Sequence, residues 1–136
     1  MTSLSKVSLP AVGSGENLAS ARLPFISEKN GIRMGFLAYT MSENSGDSSY
    51  TKSNRAGVMP TDLSLIREDI QKLRPKVDYI ILSFHWGLND SKKPPFWVRN
   101  LAHKSIDSGA DIILGHHPHF PQGIEIYQNK PIIYCL

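Results

Sequence analysis

The chain has 136 residues, 40% of them hydrophobic and 20% charged, with a formal net charge of +3. That length and apolar content suit one domain with one core. The charges are mixed in sign and form no Lys/Arg block of the kind that tracks a phosphate backbone, which excludes nucleic acid as the expected partner. A single cysteine, Cys135, rules out an internal disulfide and, without a CxxC pair, a thiolate metal site, so it reads as a small core residue. No stretch approaches the ~20 apolar residues of a membrane span, and residues 1–20 hold no signal-type apolar run. Both ends read as truncated, because the chain stops inside the apolar run Pro131 to Leu136.

Ala11 to Gly15 reads as a short strand and turn. Pro24 to Glu28 and Ile32 to Thr40 read as two strands around Lys29-Asn30-Gly31, since Asn-Gly is a strong hairpin signal. Met41 to Pro60 is polar and rich in Ser, Asn and Gly, and is expected to be a long exposed loop, a lid over a site. Thr61 or Asp62 caps a helix whose apolar positions Ile66, Ile70 and Leu73 recur at helical spacing until Pro75 ends it.

Tyr79 to Phe84 is a nearly continuous apolar run, as expected of a parallel strand covered on both faces. A helix from about Pro95 to Ser108 follows, with Val98, Leu101, Ala102 and Ile106 on one side and Gly109 past its end. Asp111 to Leu114 is the next strand. Strand, helix and strand form a βαβ unit, whose crossover is expected to be right-handed. Gly115 to Pro121 leaves the sheet as a loop, and Ile124 to Tyr127 with Pro131 to Leu136 make a final hairpin around Gln128-Asn129-Lys130. The fold class is therefore α/β, with a βαβ unit and a C-terminal hairpin.

Four of the five histidines fall after the two parallel strands: His85 after the first, and His116, His117 and His119 after the second. Open α/β sheets bind ligands at the carboxyl ends of their strands. Imidazole suits Zn, Fe, Mn and Ni, and two histidines one residue apart can aim at one point, here with Pro118 stiffening the loop between His117 and His119. His85 alone has a structural reading too, but three imidazoles in four positions have little packing value. His103 lies inside the second helix and reads as a surface or packing residue. Trp86 and Trp97 read as core or cleft-wall aromatics. Asp78 and Asp111 begin strands, far from the histidine edge, and read as capping or turn residues. Asn89 and Asp90 follow His85 in one loop and are within reach of the site, while Arg55 and Lys52 could meet an anionic substrate. No G-x-S-x-G elbow, P-loop or G-x-G-x-x-G is present.

These residues resemble a known pattern. The segments Ile81 to Gly87, Leu101 to His119, Gln122 to Tyr127 and Ile133-Tyr134, with Gly13 to Arg22, Pro24 and Gly35 to Thr40, resemble the C-terminal half of the CapA family of poly-γ-glutamate capsule biosynthesis. The resemblance implies that residues 1–136 are part of a calcineurin-like metallophosphoesterase domain, a two-sheet α/β sandwich holding divalent metal ions such as Mn, Fe or Zn. It implies that His85, His117 and His119 are metal ligands, and that His116, where glycine is usual, takes a catalytic part beside the metal or on substrate. Asn89, where glutamate is frequent, Asp90 and Arg55 would contact substrate.

The family's Asp, Glu and Asn-Asn-His motifs would precede Met1, and its Gly-Asn-Phe would follow Leu136. The implied partner is an anionic polymer or a phosphoester, alongside other capsule-synthesis components, in the cell envelope, with any anchor outside these residues. The whole protein would then act as a metal-dependent hydrolase or as an envelope component that handles polymer. The isolated piece would be marginally stable, its sheet lacking the layer that covers it.

Overall fold

The computed structural model describes residues 9–41 and 49–136. Strand β1 (Ser14–Gly15) and the short helix α1 (Leu18–Ala21) precede the hairpin β2 (Phe25–Lys29) and β3 (Ile32–Thr40). The two hairpin strands close on Asn30 and Gly31, with φ of 54° and 79°, so both central turn residues are left-handed as a two-residue hairpin requires. Strand β4 (Gly57–Val58), helix α2 (Leu63–Leu73), β5 (Tyr79–His85), α3 (Phe96–Asp107), β6 (Ile112–His116), β7 (Ile124–Tyr127) and β8 (Lys130–Ile133) complete the order.

The main sheet runs β2-β3-β5-β6-β8-β7. Its four inner strands are parallel, and an antiparallel strand flanks them at each edge. The expected βαβ unit is present as β5-α3-β6. A second one, β3-α2-β5, precedes it, because β3 pairs with β5 in parallel along seven positions from Met34–Tyr79 to Thr40–His85.

Helix α2 starts where expected: the Asp62 side chain accepts from the N–H groups of Ser64 and Leu65. It ends at Leu73, and Pro75 sits in a 3-10 turn, Arg74–Lys76. Helices α2 and α3 pack against each other. Both cover one face of the sheet, where Leu37, Tyr39, Ile80, Leu82, Phe84, Ile113 and Ile132 are buried with Ile66, Ile70, Leu73, Val98, Ala102 and Ile106. Side chains alternate across a strand, so the intervening residues Phe36, Ile81, Ser83 and Leu114 project from the opposite face.

The expectation of two covered faces is met on one side only. Neither α2 nor α3 covers the opposite face, and at its margins Phe25, Ile32, Tyr79, Ile124 and Ile126 are exposed. A continuous apolar strand signals two faces to bury, but cannot say which segment does the covering.

The expectation of an exposed loop over Met41 to Pro60 is corrected for the part described; residues 42–48 lie outside the described residues. Gly57 and Val58 pair with β1, Thr40 bridges to Pro60, and Thr51 and Met59 are buried. The physical reason is backbone pairing: Met59 donates to the Gly13 carbonyl and accepts from Thr40 N–H, so this polar stretch extends the edge of β3 instead of standing off it.

Other single-residue expectations hold. Trp86 is buried with 1% exposure, Trp97 packs partly buried on the core, and Cys135 is buried. His103 is a packing residue, its ring stacked on Tyr127 at 4.0 Å and its Nε2 2.8 Å from Glu125 Oε1.

Candidate functional site

Strands β5 and β6 each end on a histidine, and the parallel register makes His85 and His116 direct partners. The first strand therefore runs one residue and the second two residues further than the apolar pattern suggested, which puts His85 and His116 on the sheet and not after it. Alternation places both on the face that the helices leave uncovered. The chain then turns: His117 has φ 103° and His119 has φ 58°. Positive φ costs a side-chain-bearing residue about 1–2 kcal/mol, so two such residues in three positions must be held by their surroundings.

That turn brings the imidazoles together. The rings of His85 and His117 lie 4.5 Å apart, tilted by 48°, and those of His117 and His119 lie 5.3 Å apart, near edge-on. Partial burial, then the positive fields of His117, His116 and His119, hold the His85 pKa below its ordinary value, which favours the neutral, ligand-competent imidazole.

Two imidazoles on one ion, with ~2.1 Å metal–nitrogen bonds, have ring centres roughly 5 Å apart. The two observed spacings fit that requirement pairwise. Among the described residues, no group of three or more His, Cys, Asp or Glu side chains is placed so that it could hold a metal ion, so the fit is pairwise only.

The loop after β5 is fixed to the His117–His119 loop through the backbone. Asp90 N–H donates to the Pro118 carbonyl at 2.8 Å, and Gln122 Nε2 reaches the Ser91 carbonyl at 2.7 Å. Asn89 and Asp90 are thereby held beside the histidine loop with their side chains exposed. Arg55 donates to the Tyr50 carbonyl at 2.7 Å, in the segment that adjoins the carboxyl end of β3. The structure thus brings His85, His117 and His119 together, sets His116 next to His85, ties the backbone of residues 89–90 to them, and leaves Arg55 engaged with its own segment.

Asp78 and Asp111 lie at the opposite edge, as expected. Asp111 accepts from Arg74 at 2.6 Å and from Ile80 N–H at 2.9 Å, with Lys130 at 3.2 Å; Asp78 pairs with Arg33 at 3.0 Å. Two polar clusters were not foreseen. Tyr39 O–H donates to the buried Asp69, which also accepts from Arg22, and Tyr134 O–H donates to Glu125, the carboxylate shared with His103. Each joins residues distant in sequence, and no local motif marks either.

Comparison with known proteins places this arrangement in context. The model of the "Bacterial capsule synthesis protein PGA_cap" family matches residues 1–136. The chain is 35% identical over 132 residues to the "PGA biosynthesis protein CapA" of Bacillus subtilis, covering 96% of this chain and 34% of that protein. It is 31% identical over 132 residues to the "Capsule biosynthesis protein CapA" of Bacillus anthracis, covering 94% of this chain and 32% of that protein. The chain thus spans about a third of the length of these relatives. Among the described residues no helix is long and apolar enough to cross a membrane. With its whole length matched, the chain belongs to the bacterial capsule synthesis protein PGA_cap family.

Proposed function

We propose that this chain carries the histidine side of a divalent-metal centre of metallophosphoesterase type, in a protein that supports poly-γ-glutamate synthesis or export at the cell envelope. The observation that carries the reading is the approach of His85, His117 and His119 at the carboxyl edge of a parallel sheet, with ring spacings of 4.5 and 5.3 Å. Residues that serve only packing have no reason to adopt the positive φ of His117 and His119. A bound Mn, Fe or Zn ion would supply a Lewis acid for an anionic substrate. The chain's own part is to present imidazoles, with His85, His117 and His119 as ligands and His116 beside them on the substrate side. Asn89, Asp90 and Arg55 would contact the anionic polymer or phosphoester.

The same reading makes the sheet one layer of an α/β sandwich. Its apolar face without helices, bearing Phe36, Ile81 and Leu114, is the surface for the second layer. His85 and His116 project from that face, so a covering layer would bring its own side chains to the site. Hydrolysis of a phosphoester is the second reading; the lowered pKa of His85 suits an imidazole that binds metal at neutral pH and serves both readings alike.

Metal content tests the centre. In the full-length protein purified with Mn²⁺ or Zn²⁺, His117→Ala and His119→Ala should each lose most of the bound metal. An unchanged load in His119→Ala overturns the assignment. Phosphoester turnover with added Mn²⁺ separates the hydrolase from the polymer-handling reading.

A further inference from the structure

Trp86 follows a candidate ligand, yet it points the other way. Its backbone N–H donates to the His116 carbonyl at 3.1 Å, extending the β5–β6 pairing by one step. Its indole turns into the helix-covered core, parallel to Phe84 with an interplanar angle of 1° and ring centres 4.6 Å apart. Its Nε1 donates to the Tyr134 carbonyl at 3.0 Å, just beyond β8. One side chain therefore ties the ends of β5 and β8 across the strand between them, β6.

Gly115 is what that tie crosses. A Cβ added there would collide with the Tyr134 carbonyl and lie 2.6 Å from Trp86 Nε1. The hydrogen bond thus occupies the space that any larger residue at 115 would need. The next residue, Gly87, has φ 91°, and a Cβ there would stand 3.1 Å from Pro118 Cγ. The chain leaving Trp86 accordingly lies against the proline between His117 and His119. The peptide before Trp86 carries His85, the peptide beyond Gly115 carries His116 and His117, and the peptide after Trp86 braces the His117–His119 turn.

We propose that Trp86 is a positioning residue for the histidine cluster: its indole bond to the Tyr134 carbonyl, passing over Gly115, sets His85 relative to His117 and His119. The assignment rests on the reading of those imidazoles as a metal site, but the placement of the rings can be measured without metal. The two positive-φ histidines explain why such a brace is needed, since the loop would relax toward ordinary backbone conformations if its ends were free to move apart. Outer partners that orient ligands typically govern about ten- to hundredfold in metal affinity.

Trp86→Phe tests the inference, because it keeps an aromatic ring against Phe84 while removing the Nε1 donor, along with the volume of the indole's second ring, for which a core truncation is the control. In the full-length protein without metal, NMR should show the histidine ring signals of His85, His117 and His119 shifted and the contact between the His85 and His117 rings weakened. Zn²⁺ affinity by titration calorimetry should fall about tenfold or more. Ile106→Val, a small core truncation away from the histidines, is the control for general loosening and should leave both readouts unchanged. Wild-type ring signals together with wild-type Zn²⁺ affinity in Trp86→Phe overturn the proposal, as does an equal change in Ile106→Val. If the parent protein fails to bind Zn²⁺, the metal reading falls, and the ring contact alone then decides the role of Trp86.

Discussion

The two ends of β5 and β6 treat their polar side chains in opposite ways. At the amino ends, Asp78 faces Arg33, and Asp111 faces Arg74 and Lys130 while also accepting from Ile80 N–H, so every carboxylate there is matched by cations from neighbouring elements. At the carboxyl ends, four imidazoles gather, on backbone that includes two positive-φ residues, and burial with the neighbouring imidazoles holds the His85 pKa down. The first edge satisfies itself and holds the strands in register. The second carries its imidazoles on backbone in a conformation that only the rest of the fold maintains, the contrast expected if this edge is the proposed site.

The largest expected effect breaks the satisfied edge. Asp111→Ala should cost roughly 1–3 kcal/mol in urea unfolding, because it leaves the Ile80 N–H without its acceptor and Arg74 with only the Gly109, Val77 and Asp78 carbonyls. The histidine signals at the far edge should stay in place. A loss below ~0.5 kcal/mol, the level of an ordinary surface change, would show that the two edges do not differ as described.

Acid sharpens the same contrast. Burial alone would push the Asp111 carboxyl up, but the hydrogen bonds from Arg74, Ile80 N–H and Lys130 outweigh it and hold the pKa below the ordinary value. A carboxylate with a depressed folded pKa contributes stability that is complete above its unfolded pKa of ~3.9 and is lost as pH falls through the folded value. Stability of the wild type should therefore drop below about pH 4, and Asp111→Asn should lack that component of the drop. Parallel acid profiles for the two proteins would remove Asp111 from the account.

At the other edge the expected sign reverses. His117→Gly should leave stability unchanged or raise it by up to ~1 kcal/mol, as the strain at φ 103° is relieved, while metal binding is lost. A destabilised His117→Gly variant would mean that this imidazole serves the fold. The smallest effect is reserved for His116→Ala, which should keep most of the metal and change turnover or substrate affinity, the modest outcome of removing a neighbour of the ligands. Loss of metal equal to that in His117→Ala would make His116 a ligand.

Much of this edge contrast was legible before any coordinates. The apolar spacing of Ile66, Ile70 and Leu73, the cap at Asp62 and the runs after Asp78 and Asp111 placed α2, β5 and β6. Parallel-sheet geometry then sent the histidines to one edge and the aspartates to the other. What could not be read depends on partners far apart in the chain. Residues 57–60 look like a surface loop until Gly13 and Thr40 present backbone groups to pair with them. The parallel pairing of β3 with β5 was hidden because an apolar strand after a hairpin does not announce its second neighbour. The positive φ of His117 and His119 is uncommon for any residue with a side chain, even for His, which adopts it more often than most, so sequence alone does not place it at these two positions.

The register of β6 has a consequence for how this sequence can drift. His116 and Gly115 sit on opposite faces, and the period of two means that losing or gaining a single residue between Ile112 and Gly115 would exchange them. A loss would drive an imidazole into the space where the Trp86 indole meets the Tyr134 carbonyl, and a gain would put the glycine in the outward place of the histidine. Insertions and deletions are therefore expected to accumulate at the exposed Gln128-Asn129 turn, and to be purged from the five residues of β6 as firmly as substitutions of the histidines themselves.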